Sequence, residues 1–549
     1  MSSASDPAPA ARHRPSFWAQ PGHQVWGMAL VVALVLLLGG LHRYYTFYAT
    51  YDQGIFNQVY WNSLHGRFFQ SSLSSGVSVA VRMDGDVPSV FYHRLGQHFT
   101  PALMFWLPVY GLFRSAAGLV VLQVAQITAA GWVLYLLAQH YLSPQIAVLI
   151  TASFYGANAV LGPTLGNFHD SSQLPLLVFG WLLALAKGRW FWFWPLVVGT
   201  LMVREDTGLV VFGFGLYFFT QKRYRWVGLG LMILSFAYVV TVTNVLMPLF
   251  SDDLSRRFLP GYFGELGTDE EVGSTLDILR GMLTNPIQFL ALVFRRPLRT
   301  VQYLVGQFLP LAFVSAVSPA AWLMVFPPLL KRLLQQKGDA LAINIRYAIT
   351  LVPALMYGAI LWWKSHRERF TPRFRRFWQI CIGLSIFFTV ISNPWRTFSF
   401  VIPDSVQPWV YVSWGQMWSH AGHIRSLLAE IPGDAPVAAT TEIIPHLSSR
   451  RMVVRLPMLA VRNDERQVVP VAYAVADLGY ITTYQVAFRD ARERIKEIVP
   501  ALDEALRSGD YGVIRAEDGV FLFHYGQASN PLALQDWLQR QESLRPIWQ

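Results

Sequence analysis

Apolar residues in this chain run on in long unbroken stretches, without the every-second-residue alternation of a membrane strand. A chain that must satisfy its own backbone hydrogen bonds in lipid does so with helices, so these stretches predict membrane-spanning helices. The first, Val25 to Tyr48, has no Ala-x-Ala site after Gly39-Gly40 and stays apolar through Tyr44, Tyr45 and Tyr48, so it reads as a retained anchor. Further runs lie at 116–139, 144–164, 172–187, 190–203, 208–221, 226–250, 303–317, 319–333, 345–363 and 376–393, giving about eleven spans with the anchor. Several fall short of the roughly 20 residues of a straight span, so some neighbours form broken or re-entrant pairs. Thr100 to Phe113 is apolar but short and holds two prolines, which predicts an interfacial helix.

The pattern changes near Asn393. Short buried strands are expected at 436–440, 452–456 and 472–476, a charged amphipathic helix at 490–508, and a hairpin of 511–515 with 520–524 turning through Glu517-Asp518-Gly519. The predicted organisation is a disordered leader (1–24), a membrane region (25–393) with a long loop at 42–115, and a small α/β domain (394–549). That α/β domain shows no internal repeat and no nucleotide-binding glycine motif.

Composition agrees: of 549 residues 53% are hydrophobic, 15% aromatic and only 14% charged, too apolar for a soluble protein. The single cysteine, Cys381, excludes an intrachain disulfide. The net charge of +11 does not point to nucleic acid, because the basic residues cluster between apolar runs. Arg12/Arg14, Lys187-Gly188-Arg189, Lys222 to Arg225 and the Lys364 to Arg376 run fall on one side if the spans alternate, and that side is the cytoplasm. The long loop, the other polar clusters and the tail then share the extracytoplasmic face.

On that face Tyr51-Asp52-Gln53-Gly54-Ile55-Phe56-Asn57-Gln58 follows the anchor directly. A carboxylate at the membrane boundary suits a general base for a lipid-borne substrate, since desolvation raises its pKa unless a cation offsets it; a solvated helix-end aspartate would look the same. Asn167-Phe168-His169-Asp170 places an imidazole beside a carboxylate, the donor types for a divalent ion such as Mg or Mn, and Asp170 is equally a helix cap. Arg204-Glu205-Asp206 sets three consecutive charges between apolar runs, which a site or a short solvated turn would explain. Arg346-Tyr347 opens a span on the same face, and Arg295-Arg296-Pro297-Leu298-Arg299 breaks the charge rule there; anion binding or contact with anionic lipid accounts for both. His98 has the chemistry to position a substrate or to support the loop.

Together with Trp61-Asn62-Ser63-Leu64-His65-Gly66, His98-Phe99-Thr100-Pro101, Leu107-Pro108-Val109-Tyr110, Leu122-Gln123, Pro310 and Pro319, these motifs resemble the bacterial membrane-protein family DUF2079 and, more broadly, the GT-C class of polytopic glycosyltransferases. The resemblance implies a bacterial inner-membrane protein with a cytoplasmic N-terminus and an extracytoplasmic tail. It also implies transfer of a sugar from a polyprenyl-phosphate donor to a glycan, lipid or protein acceptor. Asp52 would be the base, Tyr51, Gln53, Asn57, Gln58, His98, Arg204, Glu205, Asp206, Arg346 and Tyr347 the substrate contacts, and His169 and Asp170 the metal ligands. GT-C sites often pair two acids near the catalytic position, whereas Gln53 follows Asp52 here. Two other functions fit the same residues: a transporter or flippase of a lipid-linked or anionic substrate, with intramembrane charges lining a path, and a silent assembly protein.

Overall fold

A computed structural model describes residues 20–266 and 273–548. All but five residues of the predicted leader therefore lie outside the described residues. Every predicted span from the anchor to 376–393 falls on helix, but not always on a straight one. Among the described residues four helices are long and apolar enough to cross a membrane: Pro21–Tyr45, Ala116–Tyr141, Lys222–Leu249 and Pro372–Ile391. Pro144–Tyr155 and Asn158–Leu165 add a pair bent by 40°. The other runs form shorter apolar helices, including Trp190–Leu201 and Gly208–Thr220.

Each break has a local cause. At Gly156 an added Cβ would sit 2.8 Å from the Ile382 side chain, so that side chain packs directly on the glycine, and Ser385 Oγ donates to the Gly156 carbonyl at 2.8 Å while accepting from Asn158 N–H at 3.3 Å. One hydroxyl thus satisfies both backbone groups that the bend releases inside an apolar setting. The expected span 303–317 is not one helix: Pro297–Phe308 ends at 3-10 turns around Pro310, with Ala312 and Phe313 at φ 49° and 63°. Pro310 has no N–H to give, and its carbonyl accepts from the buried Trp378 Nε1 at 3.0 Å. The Thr100–Phe113 segment forms two short helices, Pro101–Trp106 and Leu107–Leu112, with Phe105, Leu112 and Phe113 exposed along one side.

The tail builds a five-stranded mixed sheet in the order Val453–Arg455, Val437–Ala439, Tyr473–Asp477, Val520–Tyr525, Tyr511–Glu517. The first three strands are parallel and the last two form an antiparallel hairpin. Its two-residue turn, Asp518-Gly519, has φ of 49° and 75°, the type I′ geometry that Asp-Gly favours. The amphipathic helix spans Arg489–Arg507. This unit shares an apolar core with the loop after the anchor: Ile55, Phe56 and Val59 of helix Tyr51–Leu64 pack with Ile444, Val453 and Leu522. The first loop is thereby clamped between the membrane helices and the sheet.

Candidate functional site

Helix Tyr51–Leu64 begins where the anchor ends, so its first turn delivers Asp52 to the junction of the helical body and the loop, while the remaining residues pack between the helical body and the tail. Asn57 Nδ2 donates to Ser448 Oγ (2.8 Å), and its Oδ1 accepts from Tyr110. Gln58 Nε2 donates to the Arg450 and Arg451 carbonyls at 3.2 and 3.1 Å, and Gln53 Nε2 to the Ala116 carbonyl at 2.9 Å. These three amides, expected to bind substrate, are buried latches for the loop. From this helix only Tyr51, Asp52 and Ile55, all near its N-terminal end, line the site.

Asp52 pairs with Arg346, and both line a polar cavity of about 280 Å³ with Tyr51, Arg94, His98 and Tyr347. Burial pushes the Asp52 carboxyl upward, but the Arg346 guanidinium, with Arg94 and His98 behind it, outweighs that and holds it below its usual value. The raised pKa expected of an unaccompanied boundary carboxylate is therefore absent, because the offsetting cation is there. A neighbouring apolar cavity of about 390 Å³ runs between Phe212, Leu216, Val239, Ile278, Met282 and Phe326. Gln97, His98, Phe258, Tyr262, Gln335 and Tyr347 line both cavities and form their common wall.

The Arg204-Glu205-Asp206 turn lines the apolar cavity where it meets that wall. Arg204 is paired internally, to Glu205 at 3.2 Å and Asp206 at 3.5 Å. Asp206 also takes Lys331 at 2.5 Å and Arg332 at 3.4 Å. Burial opposes ionisation of both carboxyls, and the surrounding cations reverse it, so both titrate below their usual range. Arg332, Arg346 and Arg204 place their guanidinium carbons 4.5, 5.3 and 5.4 Å from the Tyr347 ring centre, so that one aromatic face organises three cations. His98 Nδ1 lies 3.1 Å from Glu205 Oε1 and 3.3 Å from Arg204 Nη2, donating to the first or accepting from the second. Burial and Arg204 lower its pKa.

His169 and Asp170 lie in the buried segment before helix Leu174–Ala186. Both His169 ring nitrogens are buried without partners, and burial takes its pKa down to about 3. Asp170 Oδ1 accepts from Ser171 N–H at 2.8 Å, and its charge acts on Arg94, Arg204 and Arg346. Among the described residues no group of three or more His, Cys, Asp or Glu gathers to hold a metal. One imidazole and one carboxylate facing three guanidiniums do not fit a divalent cation. Asp84 and Asp86, spaced like metal ligands, pair instead with Arg256 and Arg462, each at 2.8 Å.

The Arg295 cluster also has an internal role. Arg295 donates to the Gln335 carbonyl at 3.1 Å, Arg296 to the carbonyls of Gln336 and Lys337, and Arg299 to that of Gly338 at 3.4 Å. Together they hold the loop that carries Gln335 and Lys337 to the polar cavity. The sequence reading missed Arg94, Arg257, Lys331, Arg332 and Lys337. Lys331-Arg332 had a signal, a basic pair on the face where positive charge should be scarce; the isolated cations had none.

A helical membrane protein with an apolar cavity that shares a wall with a charged polar one is the class that these features define. The chain belongs to the DUF2079 family, described as predicted membrane proteins, whose model matches residues 43–522. No curated protein matches it. Among solved structures it is similar to ArnT from Cupriavidus metallidurans. The apo form is 11% identical, with 93% of this chain and 100% of that one covered and a TM-score of 0.46. The form bound to undecaprenyl phosphate is 10% identical, with 94% and 100% covered and a TM-score of 0.47.

Proposed function

We propose that the protein is a membrane glycosyltransferase that moves a sugar from a polyprenyl-phosphate donor to an extracytoplasmic acceptor, with Asp52 as general base. The supporting observation is the pair of cavities with one common wall: an apolar one for a prenyl chain, and a polar one lined by four cations, Arg94, Arg257, Lys337 and Arg346, against two carboxylates, Asp52 and Asp339. An amphiphilic anion fits that combination, its tail removed from water and its phosphate met by charge. Asp52 takes the proton of the acceptor hydroxyl or amine as that atom bonds to the anomeric carbon. The bond from that carbon to the phosphate oxygen breaks, its electron pair leaves with polyprenyl phosphate, and the configuration inverts. Arg346 keeps Asp52 ionised and oriented, and the side chain's 37% exposure leaves room for the acceptor.

The clustering of basic residues between alternate apolar runs supports, by the charge rule, a bacterial inner-membrane orientation with this cavity and the tail outside the cytoplasm. A glycan, a lipid and a protein remain the acceptor classes. The test is sugar transfer by the purified full chain with a panel of prenyl-phosphate sugars. Asp52→Asn is expected to cut the rate about 10²- to 10⁴-fold while the protein still folds. Transfer that survives Asp52→Asn refutes the base, and substrate accumulation in proteoliposomes without prenyl-phosphate release makes the protein a transporter.

A further inference from the structure

Arg94 lines the polar cavity and is 6% exposed, yet its guanidinium has no carboxylate at ion-pairing distance among the described residues, and its buried Nε has no hydrogen-bond partner. It rests on the Phe56 ring, 4.6 Å from the centroid. Arg257 lines the same cavity, with Nη1 buried and unpartnered and its guanidinium carbon 5.1 Å from the Phe258 ring. Lys337, from the arginine-clamped loop, stands 4.8 Å above the Tyr262 ring and forms no ion pair among the described residues. Each of the three is backed by an aromatic face rather than by a carboxylate. Arg204 and Arg346, the cations that the motifs single out, already hold Glu205, Asp206 and Asp52.

A buried cation left unpaired costs free energy unless something absent from the protein completes it, and that cost falls on the buried Arg94 and on the buried Nη1 of the half-buried Arg257, while Lys337 stands exposed at the cavity. We infer that Arg94, Arg257 and Lys337 form the seat of a phosphate-type oxyanion in the polar cavity, and that Arg204 and Arg346 serve the carboxylates. Three donors from three separate segments surround the cavity, so a tetrahedral anion with several free oxygens uses them where a planar carboxylate leaves donors idle. The aromatic backing keeps each head group poised while the seat is empty. The inference builds on the glycosyltransferase reading but does not need sugar transfer to be tested.

Binding to the purified full chain in detergent is measured by calorimetry with farnesyl phosphate, inorganic phosphate and farnesol. Farnesyl phosphate is expected to bind saturably, and Lys337→Gln and Arg257→Gln each to weaken it about tenfold, the loss of one charged hydrogen bond. Arg489→Gln, an exposed arginine of the tail, serves as the control and leaves it unchanged. Lys337 is exposed, so its variant is expected to fold even if Arg94→Gln does not. Inorganic phosphate that binds alone with the same losses assigns the seat to free phosphate instead of a lipid head group. Farnesol binding as tightly as its phosphate, or affinity unmoved in both variants, overturns the seat. Failed sugar transfer with intact, variant-sensitive binding overturns only the reaction.

Discussion

Two charged groups flank the wall that the cavities share, and they are built on opposite principles. In the turn at 204–206, Arg204, Lys331 and Arg332 meet Glu205 and Asp206 at 2.5–3.5 Å, so every charge is answered within the protein. In the polar cavity Arg94, Arg257 and Lys337 have aromatic faces but no carboxylate at ion-pairing distance among the described residues; Asp170 and Asp52 act on Arg94 only from further off. The first arrangement is finished without a ligand and the second is not. A run of charges conspicuous in sequence can thus be the structural cluster, while scattered single cations carry the capacity to bind.

The largest effect expected from this contrast comes from breaking the finished cluster. Asp206→Ala leaves Lys331 and Arg332 buried without their carboxylate, and thermal unfolding in detergent should show a loss of about 3–5 kcal/mol. Lys337→Gln, by contrast, removes no pairing and should leave the unfolding midpoint nearly unmoved. A small effect for Asp206→Ala would erase the distinction.

The tail sharpens it with the opposite stoichiometry, one cation between two anions. His420 Nε2 lies 3.0 Å from Asp477 and Nδ1 2.7 Å from Asp518. Burial lowers the imidazole pKa, but the two carboxylates outweigh it and lift it to about 9. A folded pKa raised above the unfolded 6.5 means that this stabilisation is complete below about pH 6.5 and disappears as pH rises through about 9. Between pH 6 and pH 10 the wild type should lose about 1–2 kcal/mol more than His420→Gln, allowing for the partial exposure of the imidazole. Equal losses in the two proteins would refute the charged sandwich. The smallest effect is expected at the clamp: Arg296→Gln, which frees the Gln336 and Lys337 carbonyls, should cost about 1 kcal/mol and speed hydrogen exchange in residues 335–338.

Legibility followed the range of the interactions. The broken segment around Pro310 lies in a short apolar run, 303–317, of the kind that had suggested interrupted spans, because proline acts on its own backbone; the bend at Gly156 interrupts a run of full spanning length, 144–164, and was not expected. Asp52, Arg204, Arg346 and Tyr347 were readable because polar groups beside apolar runs are costly, and the structure brings all four to the cavities or their shared wall. Asn57 and Gln58 belong to the same motif but turn into the tail, since helical periodicity points successive residues to different partners. Nothing in the sequence could have told Asp52 from Asn57 in this respect, because the tail partners of Asn57 lie 391 and 392 residues away.

By itself, then, the sequence determined a helical membrane body, the short strands and Asp-Gly turn of the tail, and the set of polar groups that must escape lipid. These follow from local backbone preference and from the cost of burying polar atoms, both written in neighbouring residues. Only the tertiary structure decided which of those groups satisfy one another and which are left facing a cavity. That is a question of partners, and charges hundreds of residues apart become partners only when the chain has folded around them.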